Sequence, residues 1–166
     1  MMVFIPYSDP IKIAKILDYK RLGKQRVEAR QILSIILGEA KWTAWRHHPA
    51  VLMWVKYPNE LKYYYNTMIK EWIARGYKNN MVMYENLPED MQMPWFMYCG
   101  PILRSHKATL LRKNYDHYSQ YFKAPKTYLE HGIIWPVIGD NYLTKEQILQ
   151  LQNGKKIKLD DFAVSI

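Results

Sequence analysis

The stretch LDYKRLGKQRVE, residues 17–28, decides the fold because it opens a long amphipathic helix. Asp18 is a candidate N-cap, and helical periodicity continues from about 20 to 37, where Gly38 ends it. Three- and four-residue spacing places four polar side chains on one helix face: Arg21, Lys24, Gln25 and Glu28. A carboxylate among cations suits chemistry beside a bound phosphate, and an ordinary solvated face is the alternative.

Outward from this helix, the chain predicts more helices and almost no strands. Prolines, glycines and capping residues bound the other predicted helices, which cover about 11–17, 49–55, 59–75, 104–121 with a break near Asn114, and a segment after the capping box at 144–147. Residues 81–100 are rich in Pro and Met and predict irregular structure. We therefore predict an all-α protein, with residues 1–166 forming a single compact domain of about four to six helices with irregular connections.

Composition indicates a polyanionic partner. The chain has 24 Lys and Arg against 15 Asp and Glu, for a formal net charge of +9, together with 14 Tyr and 6 Trp. Cations hold phosphates, and flat rings stack on bases. This combination favours nucleic acid, and duplex DNA in particular, over a merely basic surface.

Other features narrow the class of protein. Cys99 is the one cysteine, so no intramolecular disulfide can form. The first residues lack the pattern of a signal peptide, and no apolar run approaches the length of a membrane span. We expect a soluble intracellular protein with no membrane partner.

The segment WRHHPAV, residues 45–51, carries two adjacent histidines. They cannot share a helix face, and Pro49 directs the chain immediately after His48. An imidazole at the following helix N-terminus stays largely neutral and can donate or accept a hydrogen bond. The remaining histidines are scattered and no C-x-x-C or H-x-x-x-H spacing occurs, so we expect no metal and no cofactor.

A third polar stretch, RSHKATLLRK at residues 104–113, predicts a helix with leucines inward and basic residues outward. Ser105 and His106 fall near its start, where free backbone N–H groups attract anions. The pattern favours phosphate docking. Adjacent Ser and His side chains do not form a nucleophile–base pair, so a hydrolase triad is not expected.

In this order, the three stretches resemble the pyrimidine-dimer DNA glycosylase family, typified by phage endonuclease V, and are closest to its bacterial-type relatives. The shared segments are 17–28, 48–54, 71–77 and 105–118, within a family-like part of about 3–122, followed by a C-terminal extension at 123–166. The resemblance implies an all-α domain that bends duplex DNA, flips a nucleotide out of the stack, cleaves its N-glycosidic bond and then cuts the strand by β-elimination as an AP lyase.

The chain departs from the family pattern at two positions. The family's nucleophile is an α-amino group exposed on a small residue after Met removal, whereas bulky Met2 should block removal of Met1 here. The position of the phage enzymes' essential Glu aligns with Arg21 or Gly23, and Glu28 is the nearest carboxylate. The amine could come from Met1, since α-amino groups are partly neutral near neutral pH, or from a lysine, or there is no amine chemistry.

The resemblance and the three stretches together define a candidate site. Glu28 is the expected catalytic carboxylate, His48 positions it or the substrate, and Lys20 and Lys24 are alternative amines. The expected DNA contacts are Arg21, Gln25, Arg26, Arg46, Arg104, Ser105, His106, Lys107, Arg112 and Lys113. The leading hypothesis is a monomeric glycosylase acting on damaged or modified duplex DNA. The alternatives are a non-catalytic or architectural DNA-binding protein with this fold, and an RNA-directed or nucleotide-modifying enzyme.

Overall fold

A computed structural model describes residues 1–40, 44–139 and 141–152, and the fold is all-α. The helices in these ranges are α1 (Pro10–Ile16), α2 (Tyr19–Ile36), α3 (Pro49–Leu52), α4 (Pro58–Ala74), α5 (Gly100–Lys113), α6 (Tyr115–Tyr118), α7 (Lys126–Leu129) and α8 (Lys145–Gln152). Short 3-10 helices cover Ala44–His47 and Trp95–Tyr98, and β1 (Val137–Ile138) pairs antiparallel with β2 (Asn141–Tyr142).

The all-α prediction is confirmed, and the differences lie in short elements. Helix α7 was not predicted, because a single turn of four residues is too short to leave a periodic pattern, and the described part holds more helices than the predicted four to six. Helices α3 and α6 are also single turns, and they lie within the predicted helices at 49–55 and 104–121. The break predicted near Asn114 is present, and the Asn114 side chain caps α6. Helix α5 begins at Gly100, one turn before the predicted start, with Pro101 in its first turn. Of the C-terminal extension at 123–166, residue 140 and residues 153–166 lie outside the described residues.

Helices α2 and α4 pack against each other at the centre of the molecule. Their buried apolar side chains join one core: Leu22, Ala29, Ile32, Leu33, Leu61, Tyr64, Tyr65, Met68 and Ile69. Gly23 permits this approach, because a Cβ there would lie only 3.1 Å from the Trp72 ring. Val27, which helical spacing alone would group with the apolar positions of α2, is 44% exposed, whereas Leu22 is buried.

The first residues of the chain lie in an extended segment inside this framework. Val3, Phe4 and Ile5 are buried, and the segment contacts side chains of α2, α4 and α5. Such burial of a chain end removes its backbone groups from water, so those groups need partners in the protein. In the part of the chain that the structure describes, none of the helices is long and apolar enough to cross a membrane.

Candidate active site

The Gln25 side chain holds the N-terminal segment in one register. Its Nε2 donates to the Met2 carbonyl at 3.0 Å, and its Oε1 accepts from the Phe4 amide at 2.8 Å. The carboxamide therefore pairs with the extended backbone as a neighbouring strand would. The Tyr64 hydroxyl adds a donor within reach of the Phe4 carbonyl at 2.8 Å and of Gln25 Oε1 at 2.7 Å. Burial, and then the negative charge of Glu28, raise the pKa of Tyr64, so that the hydroxyl keeps its proton.

His106 on α5 completes this support from the other side. Its Nδ1 accepts a hydrogen bond of 3.1 Å from the Ile5 amide, so the proton of the neutral ring lies on Nε2. The ring is completely buried, and burial lowers the pKa of His106 to about 3. Nε2 has no hydrogen-bond partner among the residues that the structure describes. His106 is therefore a neutral internal acceptor.

Glu28 receives the start of the chain. Its Oε2 accepts a hydrogen bond of 2.8 Å from the Met2 amide, and its Oε1 lies 3.8 Å from the Lys24 ammonium. The Glu28 side chain is 15% exposed, so the carboxylate is mostly shielded but remains reachable. Since the Met2 amide is hydrogen-bonded to Glu28, Met1 lies beside the Glu28 carboxylate.

A basic cleft of about 390 Å³ opens beside Glu28 and Met1. The residues that line it are Met1, Met2, Phe4, Lys20, Arg21, Lys24, Gln25, Glu28 and Lys113. Arg21 is bound to Asp18 at 3.0 Å, whereas Lys20 and Lys113 have exposed side chains at the cleft. A concave site with several cations and one carboxylate can hold a phosphate backbone next to a group that moves protons.

His48 belongs to the same region. Its Nδ1 accepts from the Ala50 amide at 3.0 Å and caps α3, and its ring lies 5.4 Å from the Trp45 ring and 5.8 Å from the Trp135 ring, between centroids. Burial, and then the positive charge of the Met1 amine, lower the pKa of His48. The neutral ring leaves Nε2 as a donor. His48 is thus linked to the chain end through electrostatics.

Three residues predicted to contact DNA need correction, because they are buried. Gln25 and His106 support the N-terminal segment instead, and Ser105 donates to the Ile102 carbonyl at 2.7 Å while accepting from Ile134 at 3.0 Å. Their polar atoms face the interior of the protein, where phosphates cannot reach. Polar side chains on a helix predict exposure, but Gln25, Ser105 and His106 instead form hydrogen bonds with buried backbone groups.

The remaining predicted contacts do not all meet at the basic cleft. Arg26 lies over the Trp72 ring at 4.0 Å and donates to Asn79 at 3.0 Å, away from Glu28 on the other side of α2. Arg104 and Arg112 donate to the Tyr128 hydroxyl and to the carbonyls of residues 128 and 129, respectively. Lys107 lies over the rings of Tyr7 and Phe122, and Arg46 is exposed. Of the ten predicted DNA contacts, Arg21, Gln25 and Lys113 line the cleft, and Gln25 among them is buried.

Met2 and Tyr64 take part in the site although the sequence analysis did not predict it, and Met1 was named there only as one alternative source of the amine. Met1 and Met2 line the cleft, and Tyr64 supports the segment from α4. The available signal was the apolar run Val3–Ile5, which is too short to predict an element but predicts burial. Within the described residues, no group of three or more His, Cys, Asp or Glu side chains is placed to hold a metal ion.

Comparison with known proteins gives one match. A family model described as "Pyrimidine dimer DNA glycosylase" matches residues 1–85. No curated protein matches the chain, and no solved structure matches it. The matched part contains α1 to α4 and the N-terminal segment, and so includes Glu28, Gln25 and His48.

Proposed function

Because this chain belongs to the pyrimidine dimer DNA glycosylase family, we propose that it is a DNA-repair glycosylase with AP lyase activity on damaged duplex DNA. The nucleophile in this proposal is the α-amino group of Met1, and Glu28 is the catalytic carboxylate. The observation that carries it is the hydrogen bond of 2.8 Å from the Met2 amide to Glu28, which brings Met1 to a carboxylate that lines the basic cleft.

The chemistry requires an amine at C1′ of an exposed nucleotide. The neutral amine donates its lone pair to C1′, and the base leaves with the electrons of the glycosidic bond and takes up a proton. Opening of the sugar ring gives an imine. Loss of a C2′ proton then expels the 3′ phosphate by β-elimination. In this scheme Glu28 holds the amine and accepts protons, and flipping exposes C1′ to both groups.

The lysines are weaker candidates for the amine. Lys24 is 76% exposed and is ion-paired with Glu28, and the Lys20 side chain is exposed at the rim. Both are suited to holding phosphates together with Lys113. The Met1 amine instead immediately precedes a segment whose backbone is held by the side chains of Gln25, Glu28 and His106, which pre-organises the amine for attack. His48, whose pKa responds to the Met1 charge, fits a role in orienting the amine or the substrate.

Borohydride trapping on a labelled duplex that carries an abasic site tests the proposal. We expect a covalent adduct with the unmodified protein, and mass spectrometry should locate it on the peptide that begins with Met1. Lys20→Ala and Lys24→Ala should retain the adduct, whereas acetylation of the α-amine should remove it. Glu28→Gln should lose strand cleavage, and Glu85→Gln, on an exposed loop, is the matched control.

Other results would replace the proposal. An adduct on Lys20 or Lys24 would move the nucleophile to that lysine. Base release from a thymine-dimer duplex without any adduct would indicate a monofunctional glycosylase. Salt-sensitive binding with neither reaction would favour the non-catalytic, architectural alternative.

A further inference from the structure

The His48 ring contacts two indole rings that come from different parts of the chain. The Trp45 ring lies 5.4 Å from it at an angle of 60°, and the Trp135 ring lies 5.8 Å from it at 86°, between centroids. Trp45 is close to His48 in the sequence, whereas Trp135 lies in the C-terminal part of the chain. The family model matches residues 1–85, so Trp135 is outside the matched part.

Trp135 belongs to a C-terminal segment, residues 134–139 and 141–143, that is fixed on both sides of it. The Ile134 amide donates a hydrogen bond of 3.0 Å to the Ser105 hydroxyl on α5. On the other side, Val137 in β1 is buried in the hydrophobic core. Because the protein interior is close-packed, these two attachments leave the Trp135 backbone little room to move away from His48.

The same C-terminal segment also binds the other end of α3. The buried Tyr142 hydroxyl in β2 lies within hydrogen-bond reach of the Leu52 carbonyl at 3.1 Å and of the Met53 carbonyl at 3.0 Å. His48 is the N-cap residue of this helix. The C-terminal segment therefore contacts α3 at both ends, with Trp135 at the start and Tyr142 at the finish.

A cavity links His48 to the proposed reacting groups. Met1, Glu28 and Trp45 line a cavity of about 340 Å³, and Trp45 is one of the two rings against His48. The positive charge of the Met1 amine is, after burial, a cause of the lowered pKa of His48. A displacement of the His48 ring would therefore act on the surroundings of the amine.

The contacts of His48 require a neutral ring. Its Nδ1 accepts from the Ala50 amide only while that nitrogen carries no proton. The two indoles carry no charge and shield the ring from water, which disfavours the imidazolium form. The charged or titratable groups around His48 are the Met1 amine, Glu28 across the cavity, and the exposed neighbours Arg46 and His47.

We propose that Trp135 is a positioning residue for His48, and through His48 for the Met1 amine, so that the C-terminal segment completes the active site. This inference rests on the proposed function and extends it beyond the residues that the family model matches. Trp135 supplies an apolar wall that fixes the plane of the imidazole, and Tyr142 fixes the helix that His48 caps. Trp135 acts through His48 and not by binding DNA.

Borohydride trapping on an abasic duplex tests the effect on the reaction, at saturating DNA and about pH 8, where an imidazole is neutral. Trp135→Ala should lower the trapping rate by about 10-fold, within the roughly 100-fold that a displacement of about 1 Å can cost. Trp135→Phe keeps an aromatic wall and should restore most of the rate. The affinity for the duplex, measured by fluorescence anisotropy, should stay that of the unmodified protein in both variants.

A double-mutant cycle shows whether Trp135 acts through His48. In His48→Asn the side chain can still cap α3 but offers no ring to Trp135. His48→Asn should slow trapping, and the addition of Trp135→Ala should slow it little further, because residues that act as a unit give non-additive effects. Tyr115→Ala removes an exposed ring distant from His48 in the sequence, and should change the rate in neither background.

NMR titration of His48 gives a readout that does not depend on DNA. Loss of the Trp135 wall opens the ring to water, so the pKa of His48 should rise in Trp135→Ala and should rise less in Trp135→Phe. The resonance is identified by its absence in His48→Asn. Thermal melting of each variant monitors the fold, and if Trp135→Ala is unfolded, Trp135→Leu carries the same tests because it fills space without an aromatic ring.

The outcomes separate this inference from the proposed function. If the unmodified protein forms no adduct on the abasic duplex, the amine chemistry is wrong, and the role of Trp135 in it is wrong as well. If the unmodified protein is trapped, an unchanged rate in Trp135→Ala or an unchanged titration of His48 overturns this inference alone. Additive losses in the cycle, or a loss of affinity as large as the loss of rate, would also overturn it, because Trp135 would then act without His48.

Discussion

The imidazole Nδ1 of His106 accepts a hydrogen bond from the backbone amide of Ile5, although the two residues are 101 positions apart in the chain. The bond joins α5 to the N-terminal segment in the interior of the protein, where both residues are fully buried. It gives a polar, titratable residue a purely internal partner. The same segment is hydrogen-bonded to Glu28 through the Met2 amide. Helix α5, which carries His106, therefore contributes indirectly to the placement of Met1.

The His106–Ile5 bond predicts acid sensitivity. The pKa of His106 is about 3 in the folded protein and about 6.5 when unfolded, so between these values the unfolded state binds one more proton. The free energy of unfolding therefore does not depend on His106 above about pH 6.5. Between about pH 6.5 and about pH 3 it falls by roughly 1.4 kcal/mol for each pH unit. Urea unfolding at about pH 6 and about pH 4 should show this loss in the unmodified protein.

His106→Asn is the matched variant for that experiment. Its amide oxygen can replace Nδ1 as the acceptor for Ile5 but cannot titrate. The free energy of unfolding of this variant should therefore depend less on pH, and the difference between the two proteins isolates His106. Parallel pH profiles would show that the imidazole is not held neutral by burial.

Tyr118 is predicted to stabilise the start of α2. Its hydroxyl donates to the Asp18 carboxylate and accepts from the Asp18 amide at 3.2 Å, and Arg21 binds the same carboxylate at 3.0 Å. Tyr118→Phe removes a hydrogen-bond donor from the Asp18 carboxylate and an acceptor from the Asp18 amide. The loss should lower the free energy of unfolding by about 2 kcal/mol. Tyr115→Phe, at an exposed neighbouring position, should change it little.

Tyr118→Phe should also change the pH dependence of the free energy of unfolding. The hydrogen bond from Tyr118 is among the causes that lower the pKa of Asp18 in opposition to burial, so its removal should raise that pKa. Stability from a carboxylate with a lowered pKa is lost as pH falls through the folded value. This loss should begin at higher pH in Tyr118→Phe, and NMR titration of Asp18 would measure the shift directly. An unchanged titration would contradict the assigned hydrogen bond.

Gln25 is predicted to position the reactive amine without touching DNA. Gln25→Met preserves the approximate shape but removes both hydrogen bonds to the N-terminal segment. Since a displacement of about 1 Å can cost 100-fold in rate, trapping on abasic DNA should slow by as much as about 100-fold at saturating DNA. DNA affinity should change much less, because Gln25 is buried.

The control for Gln25 is Gln150→Met, on an exposed part of α8. It should leave both trapping and affinity unchanged. A folded Gln25→Met protein that is trapped at the unmodified rate would mean that the amine does not depend on the register of the N-terminal segment.

The lysines of the basic cleft should set the salt dependence of DNA binding. Each phosphate contact contributes about 0.9 to the slope of log affinity against log salt concentration. Lys24→Gln and Lys113→Gln should therefore each reduce the slope by about 0.9, and the double variant by about twice that amount. Fluorescence anisotropy with a labelled duplex at several salt concentrations measures these slopes.

Lys70→Gln is the matched control, because Lys70 is exposed on α4 and does not line the basic cleft. Its slope should equal that of the unmodified protein. If Lys70→Gln lowers the slope as much as Lys24→Gln does, the DNA follows a different surface.

Much of the fold follows from local sequence patterns. Asp18, the helical spacing of Ala29, Ile32 and Leu33, and Gly38 are enough to predict α2, because caps and periodicity act within a few residues. The break at Asn114 was predictable for the same reason. The single-turn helix α7 lies in no predicted helix, because a pattern of four residues carries little information.

The candidate site was predictable only in part. The spacing of Lys24 and Glu28 predicts their shared face, and the structure gives an ion pair at 3.8 Å. The same spacing assigned Gln25 to a DNA-facing surface, although it lies 40° from Arg21 around an ideal helix and turns inward. That small rotation decides whether a side chain meets solvent or the buried backbone of Met2 and Phe4.

The sequence by itself determined the long helices, the basic character and the presence of Glu28 on a cationic helix face, because these depend on composition and on spacing along the chain. Only the tertiary structure decided that Met1 lies beside Glu28 and that His106 supports Ile5. Those contacts join residues far apart in the chain. They form because a buried extended segment must have each of its backbone amides and carbonyls satisfied by whichever side chains the packed helices bring to it.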